Sequence, residues 1–159
     1  MELHEAIKMT RNLMNAHNLR HWNLEARNFK AAFGKCSYRK QTISLSAILT
    51  PNCTEDSVRN TALHEIAHAL VGYAHAHDHV WRRQFIAIGG NGERTGGDDN
   101  YINGRNSAIE VQEKYFTYKG VCPNGHKVYR NRKPKGQSSC SLCCRRFNPD
   151  FLITWTRNM

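Results

Sequence analysis

Residues 54–73 read TEDSVRNTALHEIAHALVGY, and their reading decides the fold. Thr54 suits a helix N-cap, because its hydroxyl oxygen can accept a hydrogen bond from a first-turn N–H. Glu55 and Asp56 follow where the helix dipole favours negative charge. Val58, Ala62, Ile66, Ala69 and Tyr73 recur at helical spacing and mark a buried face. Gly72 is a natural C-terminal breaker. The pattern predicts one long helix, and within it stands His64-Glu65-Ile66-Ala67-His68. Positions i and i+4 share a helix face, so both imidazoles can reach one zinc ion. Glu65 is rotated off their axis, where a carboxylate can take the proton of a water that zinc acidifies towards a pKa of ~7. This is the chemistry of carbonyl hydrolysis, with Glu65 as candidate general base.

A hydrolytic zinc needs a third protein ligand and one open position. His75, His77 and His79 are the candidates. His77 is the choice. It directly precedes Asp78, a candidate cap for a second helix over about residues 79–88, and that helix would hold it rigidly. Trp81, one turn on, would wall the site. His75 and His79 are then left beside the metal or facing substrate.

Outward from the long helix, Leu3, Ala6, Ile7, Leu13, Met14 and His17 predict an amphipathic helix over 2–17. Residues 21–29 contain a candidate short strand. Residues 33–38 and 42–49, separated by Arg39-Lys40-Gln41, predict a hairpin. Its second arm alternates, with Ile43 and Leu45 expected inward, Ser44 and Ser46 outward, and Pro51 as the stop. Val80, Trp81, Phe85 and Ile88 form the stripe of the second helix, which Gly89-Gly90 ends. Residues 89–104, GGNGERTGGDDNYING, hold most of the glycines and predict a loop or hinge. From Val111 onward the pattern suggests short strands around cysteine knuckles. The expected organisation is a domain over 1–110 and a second over 111–159.

The second part carries its own metal pattern. Cys122-Pro-Asn-Gly-His126 and Cys140-Ser-Leu-Cys143 offer four ligands from two knuckles, the signature of a closed tetrahedral zinc. Four protein ligands leave no place for water, so this zinc is structural, and Gly125 permits the tight turn. Cys144 competes with Cys143, but the x2 spacing is the commoner knuckle. Cys36 and Cys53 lie outside the cluster and read as buried thiols. Two zinc ions per chain are therefore expected.

Length and composition fit a small globular protein: 159 residues, 40% hydrophobic, 23% charged, with a formal net charge of +10. The N-terminus lacks the apolar core of a signal peptide, and no apolar run approaches the ~18 residues of a membrane span. Clustered thiols without a leader favour metal over disulfides. The chain is expected in the cytoplasm, nucleoid-associated if bacterial or phage, with no membrane partner. The basic excess has a place: no acidic residue stands between Glu113 and Asp150. Lys127, Arg130, Arg132, Lys133, Lys135, Arg145 and Arg146 lie there, interleaved with Tyr115, Phe116, Tyr118, Tyr129 and Phe147. Cations of this kind bind phosphates and exposed aromatics stack on unpaired bases, so DNA is an expected partner, without sequence specificity.

Taken in order, HEIAHAL at 64–70, HDHVW at 77–81, the hairpin SYRKQTISLS, the CPNGH and CSLCC knuckles, and the closing Phe-Asn-Pro and Leu-Ile-Thr-Trp segments resemble the SprT/Spartan-like zinc metallopeptidases, in their bacterial and phage branch. The third family ligand is a histidine with an aromatic four residues on, as His77 and Trp81 stand here. The resemblance implies an α+β chain: a small zincin-like helical metallopeptidase domain with a short hairpin, then a β-rich zinc ribbon. It also implies, for the better-understood relatives, DNA-dependent cleavage of proteins crosslinked to DNA. Asp78 replaces the glycine that often follows the third ligand, and His126 stands where many relatives have cysteine. The competing readings are a processing peptidase indifferent to DNA and a non-enzymatic zinc-ribbon DNA-binding protein.

Overall fold

The computed structural model describes residues 1–94 and 105–158. It divides into two compact units, Met1–Ala108 and Ile109–Met159. The class is α+β, as expected. The division falls inside the helix Arg105–Tyr115, two residues before the expected 110/111 boundary. Among the described residues no helix is long and apolar enough to cross a membrane.

In the first unit, α1 (Leu3–Ala16) leads into β1 (Asn23–Arg27), β2 (Gly34–Ser37) and β3 (Thr42–Ser46), then α2 (Glu55–Val71) and α3 (His79–Ala87). The strand order is β1-β3-β2, with β1 parallel and β2 antiparallel to β3. The hairpin therefore forms as predicted, but its second arm becomes the central strand. This overturns the expected alternation: every residue of β3 is buried, Ser44 and Ser46 included. Buried hydroxyls need partners. Ser44 donates to Glu25 Oε1 at 2.9 Å, while Ser46 donates to the Phe29 carbonyl and accepts from Leu49 N. The strand ends at Ser46, ahead of Pro51, which lies in a 3₁₀ turn.

Thr54 caps α2 by accepting from Ser57 N at 3.2 Å, and Gly72 ends it at φ 82°, a left-handed conformation that glycine adopts without strain. α2 is apolar on two sides. Ile66 joins Met14, Leu19, Trp22 and Ile43 in one core, against α1 and the sheet. Leu63 and Ala67 join Trp81 and Phe85 of α3 in another. A helix packed on both sides is fixed in rotation, and its remaining polar stripe is fixed with it. Tyr73 departs from expectation: it lies beyond the helix end and is exposed.

Of the expected loop 89–104, residues 95–104 lie outside the described residues. Residues 91–94 are tied back to the helices: Asn91 N donates to Asn60 Oδ1 at 3.0 Å, and Arg82 Nε to the Gly92 carbonyl at 3.2 Å. α4 (Arg105–Tyr115) replaces the strands expected from Val111; Glu110, Gln112, Glu113 and Lys114 are good helix formers.

The second unit continues with β4 (Tyr118–Val121), β5 (Lys127–Arg130) and β6 (Thr154–Arg157), an antiparallel sheet with β4 central. Glu113 ties the end of α4 to this sheet. Its Oε1 accepts from Lys119 Nζ, Lys127 Nζ and Tyr129 Oη at 2.9, 3.0 and 2.9 Å. These donors hold the Glu113 carboxyl down at about 2.

Candidate metal centre and cleft

α2 places His64 and His68 one turn apart on the stripe left between its two packed faces. The chain leaves α2 at Gly72 and returns so that His77 meets them. His77 Nε2 lies 3.0 Å from Nε2 of both His64 and His68. The ligand atoms of the three residues all fall within 4.8 Å of one another. Three neutral imidazoles converging in this way could hold one metal ion and leave further coordination positions open.

His77 reaches this place at φ 61°, a left-handed conformation uncommon for a residue with a side chain. Its neighbour holds it there. Asp78 Oδ1 accepts from Val80 N and Trp81 N at 2.9 and 3.0 Å, capping α3, and Asp78 Oδ2 meets His75 Nδ1 at 2.8 Å. Trp81, 1% exposed, backs the imidazoles, with ring centroids 4.7, 5.3 and 4.7 Å from those of His64, His68 and His77. His75 is thus bound to the cap, and His79 opens α3, exposed.

The electrostatics suit a cation. Burial, then the neighbouring imidazoles, lowers His64 to about 3, and burial, then His77, lowers His68 to about 4. Burial and then Arg94 also lower His77. At neutral pH the rings are uncharged, so their lone pairs are free for a metal. Two buried nitrogens at the site, His68 Nδ1 and Trp81 Nε1, make no hydrogen bond, an unusual cost that clusters at functional sites.

Glu65 is 7% exposed and raised to about 8 by burial, offset in part by a hydrogen bond from the Cys36 backbone N–H. A divalent cation held by the imidazoles would favour its ionised form. β2 lies directly over it: a Cβ added at Gly34 would sit 2.9 Å from Glu65 Cγ and 3.0 Å from Oε1. Gly34 is glycine because the carboxylate occupies that space.

Two cavities adjoin the His64–Glu65 pair. One, of about 310 Å³, is walled by Ala31, Ala32, Phe33, Thr61 and Glu93. The other, of about 620 Å³, is walled by Lys35, Cys36, Tyr38, Tyr73, Ala76 and His77. Gly34, His64, Glu65 and Arg94 line both. Among these residues, Gly34, Tyr38 and Arg94 carried no site assignment from sequence, and Cys36, read there as a buried thiol, is half-buried at the cavity wall. None has a local signal, since each reaches the cleft only through the placing of β2 over α2 or the tethering of residues 91–94.

The second unit gathers Cys122, His126, Cys140 and Cys143, whose ligand atoms again lie within 4.8 Å of one another. His126 Nδ1 is 3.2 Å from Cys143 Sγ and 3.6 Å from the other two sulfurs. Gly125 turns at φ 78°, and Asn124 Nδ2 donates to Cys143 Sγ at 3.3 Å. Cys144 stays outside the group. Of the expected phosphate-binding cations, Lys127 is paired with Glu113, and the Arg130 guanidinium lies 5.2 Å from the centre of the Trp155 ring. Among the described residues, Arg132, Lys133, Lys135, Arg145 and Arg146 are exposed and have no ion-pair partner.

The family model described as the SprT-like family matches residues 3–103. No curated protein matches the chain. Among solved structures, the metallopeptidase zymogen jannalysin of Methanocaldococcus jannaschii is similar at 15% identity and a TM-score of 0.46, over 69% of this chain and 91% of that one. The metallopeptidase zymogen abylysin of Pyrococcus abyssi is similar at 16% identity and a TM-score of 0.41, over 70% of this chain and 89% of that one. With the family model covering the unit that carries the three histidines and Glu65, the chain belongs to the SprT-like family.

Proposed function

We propose that the chain is a zinc-dependent metalloendopeptidase acting on DNA-bound or DNA-crosslinked proteins. The observation that carries the hydrolytic part is the convergence of His64, His68 and His77 beside a buried Glu65, with two cavities lined by His64 and Glu65. Family membership supports the same reading. The three imidazoles would hold zinc, which when bound polarises a carbonyl and acidifies water. Glu65 takes the proton of the attacking water as its oxygen bonds to the carbonyl carbon. It then passes that proton to the amide nitrogen as the C–N bond breaks. Gly34 and the Cys36 N–H fix where the carboxylate stands during both transfers. Cys122, His126, Cys140 and Cys143 would hold a second zinc whose work is folding the ribbon.

The DNA-associated part rests on the free cations Arg132, Lys133, Lys135, Arg145 and Arg146 and on the exposed ring of Phe147, 61% accessible beside the last two. Lys127 and Arg130, engaged within the ribbon, contribute less.

The test is cleavage of a DNA-binding protein with and without single-stranded DNA, by the wild type and by Glu65→Gln. Cleavage stimulated by DNA and lost in the variant is the expected result. Equal rates with and without DNA would leave a DNA-independent processing peptidase. Salt-sensitive DNA binding without any cleavage would leave a zinc-ribbon DNA-binding protein.

A further inference from the structure

The two cavities beside the His64–Glu65 pair differ in their walls, and the difference bears on which peptide bonds are cut. Small residues, Ala31 and Ala32, line the lesser one. The larger one carries two tyrosines. Tyr38, between β2 and β3, packs against the main core with part of its ring. Tyr73, immediately beyond the Gly72 that ends α2, meets it edge to face at 5.8 Å and 88°. Tyr73 is 83% exposed. A large ring so little covered in the protein alone, braced by a partly buried one and set in the same cavity as the three histidines, is a surface built to be covered by something else.

We propose that the Tyr38–Tyr73 pair is a specificity subsite that receives an aromatic or large aliphatic substrate side chain next to the cleaved bond. The proposal rests on the peptidase reading. A peptide whose scissile carbonyl lies at His64 and Glu65 sets a flanking side chain within reach of this cavity, which both residues line together with Tyr38 and Tyr73. Rigid rings with two torsions each offer apolar area at little entropic cost. The cavity also decides against a basic occupant. Lys35 and Arg94 stand at its lining and repel a lysine or arginine that would otherwise sit over the ring faces.

The experiment is cleavage-site profiling of a mixed, denatured protein substrate by the zinc-loaded full chain, comparing wild type, Tyr73→Ala and Tyr73→Phe. Wild type should show Phe, Tyr, Leu or Met enriched at one position flanking the cut. Tyr73→Ala should flatten that position and lower kcat/KM for the best peptide by about tenfold or more. The loss should be several-fold smaller for a peptide with Ala at that position, while Tyr73→Phe keeps the wild-type profile. Because Tyr73 is exposed, the variants should fold, which zinc content and thermal midpoint will verify. Cleavage with no preference, with a Lys/Arg or Asp/Glu preference, or with a profile unchanged in Tyr73→Ala overturns the subsite alone. No cleavage by the wild type overturns the peptidase reading and the subsite with it.

Discussion

Gly34→Ala should slow catalysis without emptying the metal site. The added methyl would meet Glu65 Cγ at 2.9 Å, Glu65 Oε1 at 3.0 Å and Thr61 Cγ2 at 3.0 Å. Carbon contacts relax at about 3.5–4.0 Å, so a displacement of roughly half an ångström or more is required. β2 cannot easily supply it, because it is paired along its length to a fully buried central strand. α2 cannot either, packed on one side by Ile66 and on the other by Leu63 and Ala67. The movable part is the Glu65 side chain. A misplacement of about 1 Å in a reacting group can cost ~100-fold in rate, so roughly tenfold in kcat is expected here. The stability change should lie between none and a loss of about 2.5 kcal/mol. Alanine in a strand is favoured over glycine by roughly 0.5–1 kcal/mol, against an overpacking cost of about 1–3 kcal/mol. The assay is kcat on a peptide substrate beside zinc stoichiometry and thermal midpoint. The reasoning fails if kcat stays within twofold of wild type. It fails equally if zinc is lost along with activity, since then the strand or the helix has moved rather than the carboxylate.

Asp78→Ala should weaken zinc binding about 10- to 100-fold, as loss of residues supporting metal ligands does, whereas Asp78→Asn, which can still accept from Val80 N and Trp81 N, should retain most of it; competition with a chromophoric chelator will measure both. Stripping metal, or Cys122→Ser, should unfold the second unit, read as loss of hydrogen-exchange protection in Tyr118–Val121 and Lys127–Arg130, while α2 stays protected. In metal-free protein, His64 and His68, at about 3 and about 4 when folded, bind protons in the unfolded chain from a pKa of about 6.5 downward. The unfolded state gains these two protons first, while Glu65, raised to about 8, holds one in the folded state and offsets part of the effect, so the urea midpoint of the first unit should fall between pH 7 and pH 5, and more steeply in Glu65→Gln; a rise in that variant would contradict the burial of these rings. Cys36 and Cys53, pushed up to about 12 and about 11 by burial, should resist alkylation at pH 7.5, with Cys144 modified first by mass spectrometry in the zinc-loaded protein.

How much of this was legible follows from which interactions are local. The long helix could be read because a cap, a dipole-matched first turn, a helical stripe and a terminal glycine all act within twenty residues of sequence. The choice of His77 used the same kind of signal, Asp78 as a cap beyond it. What sequence could not give was tertiary. The parallel pairing of β1 with β3 joins residues far apart in the chain, and it makes β3 central and buries Ser44 and Ser46. Tyr73 continues the helical stripe in sequence, yet lies beyond the turn at Gly72, so periodicity misassigned it. The strand signal after Val111 came from nearby β-branched and aromatic residues, and it hid a helix formed by Glu110, Gln112, Glu113 and Lys114.

The left-handed His77 explains why an aspartate follows it. Asp78 itself is extended at φ −80°, so a glycine at 78 would relieve no strain, and it could neither cap that helix nor hold His75. Aspartate does both: one oxygen fixes the first turn of α3 and the other engages the histidine on the far side of His77. The strained residue is thereby gripped from both directions, and Trp81, whose N–H that cap accepts, is the ring that backs all three imidazoles. Metal ligand, cap and backing ring form one mechanical unit five residues long, so a substitution at 78 acts on the metal site through the backbone. Asp78→Gly should therefore loosen the site, with zinc affinity lower than in Asp78→Asn; an equal or higher affinity would show that the left-handed turn at His77 holds itself.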